Sequence, residues 1–267
     1  MRRRILTGAQ ALLLVCLALV LPACALPAGL VASYSGNGTA LSGTGSFNGS
    51  YTGTYASVGG REAFSFSTGG PDMTASANGL PAGSSPFTIS AWVYVSAFQS
   101  STYRLGMYVL YGSGANQADI VTYTNPGGVY SGTAQAYYDN GQYSDYGGPA
   151  IGLNTWNYIA ATYDGSSTVS VYLNGVLAGS RGYGALAVNT SAGPTLQIGG
   201  QTLGGSVGGT GYMSDIHIYN IGMSQTQIQS DMALTSLPEP PLASLCLGGV
   251  IALTLVRRRQ CSRSVRP

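Results

Sequence analysis

The sequence predicts an all-β protein folded as a two-sheet antiparallel sandwich, with short helices only toward its ends. Three observations carry this expectation. Glycine fills 40 of the 267 positions and tyrosine 19, while charged residues make up only 7%; this composition suits frequent turns between aromatic and β-branched strands. Apolar and polar side chains alternate with period two along several stretches of the middle of the chain, the pattern of half-buried strands. All four cysteines, Cys16, Cys24, Cys246 and Cys261, fall near the ends, so no disulfide framework or cysteine metal site supports the body. A domain of roughly 200 residues buries enough apolar surface to do without one.

The chain opens with Arg2, Arg3 and Arg4, an apolar run from Ala11 to Leu21, and the small residues Ala23-Cys24-Ala25. A positive head, a short apolar stretch and an A-x-A site are the layout of a secretory signal peptide, so residues 1–25 are read as an export signal. Leu21-Pro22-Ala23-Cys24 also resembles a bacterial lipobox, in which Cys24 would become a lipidated N-terminus. Residues 26–59 are low in complexity and rich in Gly and Ser, as a linker would be. Their aromatics, Tyr34, Phe47, Tyr51 and Tyr55, point instead to an edge strand followed by a long loop.

Residues 60–235 form the main domain. FTISAWVYV sets Phe87, Ile89, Ala91, Val93 and Val95 on one face and Thr88, Ser90, Trp92 and Tyr94 on the other. Both faces carry bulk, as expected of an inner strand. TWNYIAATYDGSSTVSVYLNGVLAG reads as a strand from Trp156 to Tyr163, a turn at Asp164-Gly165, a strand from Thr168 to Leu173, and a tight turn at Asn174-Gly175. Both residues of an Asn-Gly pair accept the positive φ of a type I′ hairpin turn, so three consecutive antiparallel strands are expected. DIHIYN, Asp215 to Asn220, is another strand. Ser224 and Gln227 make an S-x-x-Q capping box for a helix of about two turns.

Leu237 to Gln260 closes the organised sequence. Pro241 to Val256 carries no charge, is close to the lower limit of about 17 residues for a membrane span, and is followed by Arg257, Arg258 and Arg259, which would hold its far end on the cytoplasmic side. Pro238-Glu239-Pro240, a short apolar helix containing Gly248-Gly249, and a basic cluster, in this order, resemble the PEP-CTERM sorting signal of Gram-negative and related bacteria. The resemblance implies a transient inner-membrane anchor, processing by an exosortase-type protease, and delivery to the cell surface or its exopolysaccharide. Leu237 before the motif and the extra tail from Gln260 to Pro267 depart from the pattern.

GREAFSFSTGG from Gly60, FTISAWVYV, TWNYIAATYDGSSTVSVYLNGV and GYMSDIHIYNIGMSQTQIQ to Gln229 resemble, in this order, the LamG-like family of concanavalin A-like jelly rolls. The specific part is Trp156 with the Thr-Tyr-Asp-Gly that follows it and then Tyr-Leu-Asn-Gly; residues 99–153 match only loosely. The resemblance implies a two-sheet jelly-roll sandwich that serves in binding or adhesion. It also implies a calcium ion at the sandwich rim, held by carboxylate and carbonyl oxygens as a hard cation requires. Asp215 aligns with an acidic position of the family's closing strand, although its neighbour is Ser214, and Asp72 remains in FSTGGPDM. Read by themselves, Asp72 and Asp215 equally suit turns or strand-end hydrogen bonds, and Asp164 is a turn residue.

Charge excludes one class of partner. Between Leu30 and Ser236 three arginines, Arg61, Arg104 and Arg181, face eight acids, a net −5, whereas nucleic-acid binding needs a basic patch. Glycosidase chemistry needs two carboxyl groups flanking the bond, but Glu62 and Glu239 are the only glutamates and Asp139 and Asp145 lack strand spacing. His217 is the only histidine, which leaves no second base for a Ser-His-Asp arrangement or a two-His metal site; a partly exposed place on its strand is expected. The chain is therefore read as a non-enzyme. Tyr137, Tyr138, Tyr143 and Tyr146, among Asn, Gln, Asp and Gly, are candidates for a ligand face, because tyrosine offers contact area at low entropic cost; tyrosine is also common in plain β-sheet. The expected partner is a polysaccharide or surface glycoconjugate. The alternative is a structural or adhesive matrix protein that binds proteins or itself.

Overall fold

The computed structural model describes residues 27–67, 72–97, 104–113, 116–124, 132–135, 151–182, 185, 188, 190, 195–201 and 207–236. Sixteen strands are described: β1 (Leu30–Tyr34), β2 (Gly49–Tyr51), β3 (Thr54–Val58), β4 (Arg61–Phe66), β5 (Met73–Ser76), β6 (Phe87–Ala97), β7 (Arg104–Ser113), β8 (Asn116–Thr124), β9 (Gly132–Gln135), β10 (Trp156–Tyr163), β11 (Thr168–Leu173), β12 (Val176–Gly182), β13 (Thr195–Ile198), β14 (Gly200–Gln201), β15 (Val207–Gly208) and β16 (Thr210–Tyr219). One helix, α1 (Gln225–Ser236), follows them. Among the described residues no helix is long and apolar enough to cross a membrane.

Two antiparallel sheets make the predicted jelly-roll sandwich. The larger has eight strands in the order β12-β11-β10-β6-β16-β4-β3, with β1 also on β16; the smaller has six in the order β2-β5-β13-β7-β8-β9, and β14 pairs with β15 apart from both. The β10-β11-β12 meander forms where the sequence places it. Asn174 and Gly175 take φ of 50° and 76° at its second turn, and Asn174 Oδ1 accepts the Tyr158 N–H at 2.9 Å. At the first turn, Asp164 Oδ1 accepts the backbone N–H groups of Ser166, Ser167 and Thr168, which holds its carboxyl well below the usual range.

Facing side chains of the two sheets fill the core. Ile89, Ala91, Val93 and Val95 of β6 and Ile159, Ala161 and Tyr163 of β10 meet Val109 and Tyr111 of β7 and Leu196 and Ile198 of β13, all buried. Tyr51 closes one edge, its hydroxyl within 2.6 Å of Thr54 O and 2.5 Å of Ser65 O and its ring against Tyr55, Phe64 and Phe66. Burial raises that hydroxyl's pKa to about 12.

The early segment is part of the sheets. β1 pairs with the end of β16, from Leu30 opposite Tyr219 to Tyr34 opposite Ile216, while β4 pairs with its beginning, Gly211 to Met213. At the changeover Asp215 takes a φ of 47°, and Asp215 and Ile216 together oppose the single residue Ala91, since Ser214 faces Trp92 and His217 faces Ser90. This bulge reverses the alternation of the strand. Met213, Ile216 and Ile218 all reach the core, and Ser214, His217 and Tyr219 turn outward.

Candidate functional site

The outward face of the larger sheet carries the described side chains with the most chemistry. Thr88, Ser90, Trp92 and Tyr94 of β6 point there between Tyr158 and Trp156 of β10 and Tyr212, Ser214 and His217 of β16. Part of this face is roofed by α1. Its start is the predicted capping box, with Gln227 Oε1 accepting the Ser224 N–H at 2.9 Å and Ser224 Oγ accepting the Gln227 N–H at 3.4 Å. The helix runs three turns rather than the expected two, because tertiary contacts hold the third.

The centre of those contacts is Asp231, 2% exposed. Its Oδ2 accepts the hydroxyls of Tyr158 at 2.6 Å and Ser90 at 2.8 Å. Its Oδ1 accepts the Tyr219 hydroxyl at 2.6 Å and lies 2.8 Å from His217 Nδ1. Burial raises the carboxyl's pKa, but the bond and charge of His217, with the two tyrosine hydroxyls, outweigh it and bring it down to about 2. The same carboxylate pushes the hydroxyls of Tyr158 and Tyr219, already raised by burial, further up. His217 is therefore a buried member of this network, and not the partly exposed strand residue its alternation suggested. Ser90 gives its proton to Asp231 rather than to His217, so the cluster lacks the nucleophile-to-imidazole bond of a serine triad. It fastens the helix.

Beyond the helix, Arg61 joins three elements. Its guanidinium pairs with Asp215, donates to Thr235 O at 2.5 Å at the end of α1, where a cation also complements the helix dipole, and stacks 4.3 Å from the Trp92 ring centre. The Trp92 N–H donates to Thr235 Oγ1 at 2.8 Å. Trp156, whose N–H donates to Val58 O at 2.9 Å, Tyr94 and Tyr212 stand directly opposite one another across β10, β6 and β16. The Tyr94 ring centre is 5.6 Å from each of the other two, edge to face. All three are half-buried. Such a row can bind through ring faces and hydroxyls.

Asp215 and Asp72, the pair expected to hold calcium, each make bonds within the protein. The carboxylate of Asp215 is already met by Arg61 and by Ser214 Oγ at 3.0 Å, and desolvation raises its pKa despite the neighbouring cation. Asp72 Oδ2 accepts the Ser67 N–H at 3.2 Å, the strand-end bond the residues themselves allowed. Among the described residues no group of three His, Cys, Asp or Glu could hold a metal ion. Tyr137, Tyr138, Tyr143 and Tyr146 lie outside the described residues, as do Asp139, Asp145, residues 1–25, Pro238, Glu239, Pro240, the run 241–256 and Arg257, Arg258 and Arg259. Sequence reasoning missed Asp231 and Arg61 as organising residues; the bulk on the outward face of FTISAWVYV was the available sign that something covers it.

Comparison with solved structures places the fold among known proteins. A sialidase from Trypanosoma rangeli, solved as a covalent intermediate with 2,3-difluorosialic acid, matches with a TM-score of 0.55 at 14% identity, over 80% of this chain and 35% of that one. Domain 4 of AbnA, an extracellular GH43 arabinanase from Geobacillus stearothermophilus solved with arabinotriose, matches with a TM-score of 0.52 at 20% identity, over 77% of this chain and 98% of that domain. The botulinum neurotoxin serotype G binding domain matches with a TM-score of 0.50 at 15% identity, over 78% of this chain and 51% of that one. This chain thus spans about a third of the sialidase, half of the neurotoxin domain and nearly all of the arabinanase domain. No curated protein matches the sequence. Residues 67–229, more than half of the chain, match Laminin_G_3, described as the concanavalin A-like lectin/glucanases superfamily, and the chain belongs to that family.

Proposed function

We propose that the protein is an exported surface or matrix protein that binds polysaccharide or glycoconjugate and does not transform it. The observation that carries this reading is a lectin/glucanase-family sandwich whose acids Asp215 and Asp231 are both spent on holding its own elements together. A domain so built retains aromatic and hydroxyl-bearing surface for binding but commits these carboxylates elsewhere. The arabinanase domain solved with arabinotriose supports a sugar chain as the ligand class, and Tyr137, Tyr138, Tyr143 and Tyr146 supply the kind of rings such a ligand stacks on. Export through residues 1–25, a transient inner-membrane anchor at 241–256 and processing by an exosortase-type enzyme at Pro238-Glu239-Pro240 complete the proposal. They would deliver the domain to the outside of a Gram-negative-type cell.

One observation favours the second reading, self-association in a matrix. Among the described strands β12 lies at the end of the larger sheet, with Val176 and Leu177 61% and 46% exposed, and apolar surface at a sheet's end favours contact with another chain. A glycan array probed with the secreted protein separates the two. Saturable binding that free sugar competes supports the lectin-like function, whereas concentration-dependent oligomers with no sugar bound support the matrix role.

A further inference from the structure

The outward residues of β6 meet α1 in succession. Thr88 Oγ1 accepts the Met223 N–H at 3.0 Å just before the helix, Ser90 bonds Asp231 in its second turn, and Trp92 bonds Thr235 at its end. Tyr94 is the next outward residue and lies past the helix. The chain therefore leaves the sandwich on this face, beside the row formed by Tyr94, Trp156 and Tyr212. Only residues 237–240 separate Ser236 from the uncharged run that starts at Pro241, and at about 3.5 Å per extended residue they reach no more than about 14 Å.

We infer that, while tethered, the protein lies with this aromatic row against the headgroup region of the bilayer that holds its tail, the smaller sheet turned away. The inference rests on the anchoring reading given above, and the short reach of residues 237–240 carries it. Tryptophan and tyrosine suit that boundary, since each has an apolar body and one polar group. Leu234, 65% exposed next to Thr235 in the last turn of α1, and Leu153, 50% exposed next to Asn154, whose N–H donates to Val95 O at 2.9 Å, are further exposed apolar side chains. Arg61 on this face is paired with Asp215, and Asp231 is buried with its oxygens bonded by Ser90, Tyr158, Tyr219 and His217, so these carboxylates are held within the protein rather than presented to an anionic surface.

Trp92 and Trp156 are the only tryptophans of the chain, so tryptophan emission, excited selectively over its 19 tyrosines, reports on this face alone. The full chain is reconstituted into vesicles of phosphatidylcholine and phosphatidylglycerol and floated on a density gradient. Expected is flotation together with quenching at least twofold stronger from a headgroup nitroxide lipid than from one labelled at the acyl-chain end. Trp156→Phe removes most of that quenching and Trp92→Phe retains it, because Trp92 is bonded to Thr235 at the end of α1 and stacked 4.3 Å from Arg61, which stands farther, 5.5 Å, from the Trp156 ring centre. Floated protein with unquenched emission, or quenching lost with Trp92→Phe instead, overturns the orientation and leaves the anchor standing. Protein that fails to float overturns the anchor and the orientation with it.

Discussion

Asp231 shows how one side chain can decide the packing of an element. A buried carboxylate is costly unless its oxygens are fully bonded, and four donors meet this one. Asp231→Ala leaves those donors unpaired and is expected to destabilise the fold by about 3 kcal/mol in urea titration; a loss under about 1 kcal/mol would refute its central role. The sign of its pH dependence follows from its pKa of about 2 in the fold against an ordinary value of 3.8. The fold binds the deprotonated form more tightly, so this stability is full above the ordinary value and is lost as pH falls from about 4 to 2. Asp231→Asn is expected to flatten the acid limb of a melting curve between those limits. Asp215 leads to the opposite expectation for metal. With its carboxylate held by Arg61, millimolar calcium leaves the melting temperature unchanged, and a calcium-dependent rise, the signature of ligand linkage, would show that Asp215 or Asp72 is freed to bind it.

At the scale of elements, close approach of backbone to ring sets limits that composition hides. Gly199, between β13 and β14, has a φ of 96°, and a Cβ there would lie 2.0 Å from the Phe66 ring. Gly199→Ala combines left-handed strain with overpacking and is expected to cost about 2–4 kcal/mol by thermal or urea unfolding. A near-neutral effect would mean that the two sheets separate more easily here than the packing implies. The elements that sequence reasoning located, the β10-β11-β12 meander and the capped start of α1, depend on local chemistry. Asp-Gly and Ser-x-x-Gln each bond within a few residues of themselves, and Asn174-Gly175 sets its turn through its own positive φ values. The third turn of α1 depends on Trp92 and Arg61, far away in the chain, and was not legible. Nor was the bulge at Asp215, which flips inside and outside along β16, or the cover of α1, which buries His217 where a partly exposed strand residue was expected.

For the whole molecule, the terminal segments make their own prediction. Replacing Pro238-Glu239-Pro240 with alanines is expected to leave the protein uncleaved in the inner membrane of its host, read as intact mass; a mature protein ending near Ser236 to Pro240 despite the change would refute the sorting signal. The sequence by itself determined the all-β class, the strands around Phe87 to Val95 and Trp156 to Leu173, and the helix start at Ser224, because side-chain alternation and turn chemistry act over a few residues. Only the tertiary structure decided that Asp215 faces a guanidinium rather than a free rim, that Asp231 is the hub of α1, and that the chain leaves beside Tyr94, Trp156 and Tyr212. Those outcomes turn on which strands become neighbours, and β4 and β1 reach β16 from positions about 145 to 190 residues earlier in the chain. Contacts at that separation are selected by the packing of the whole sandwich, which no local pattern encodes.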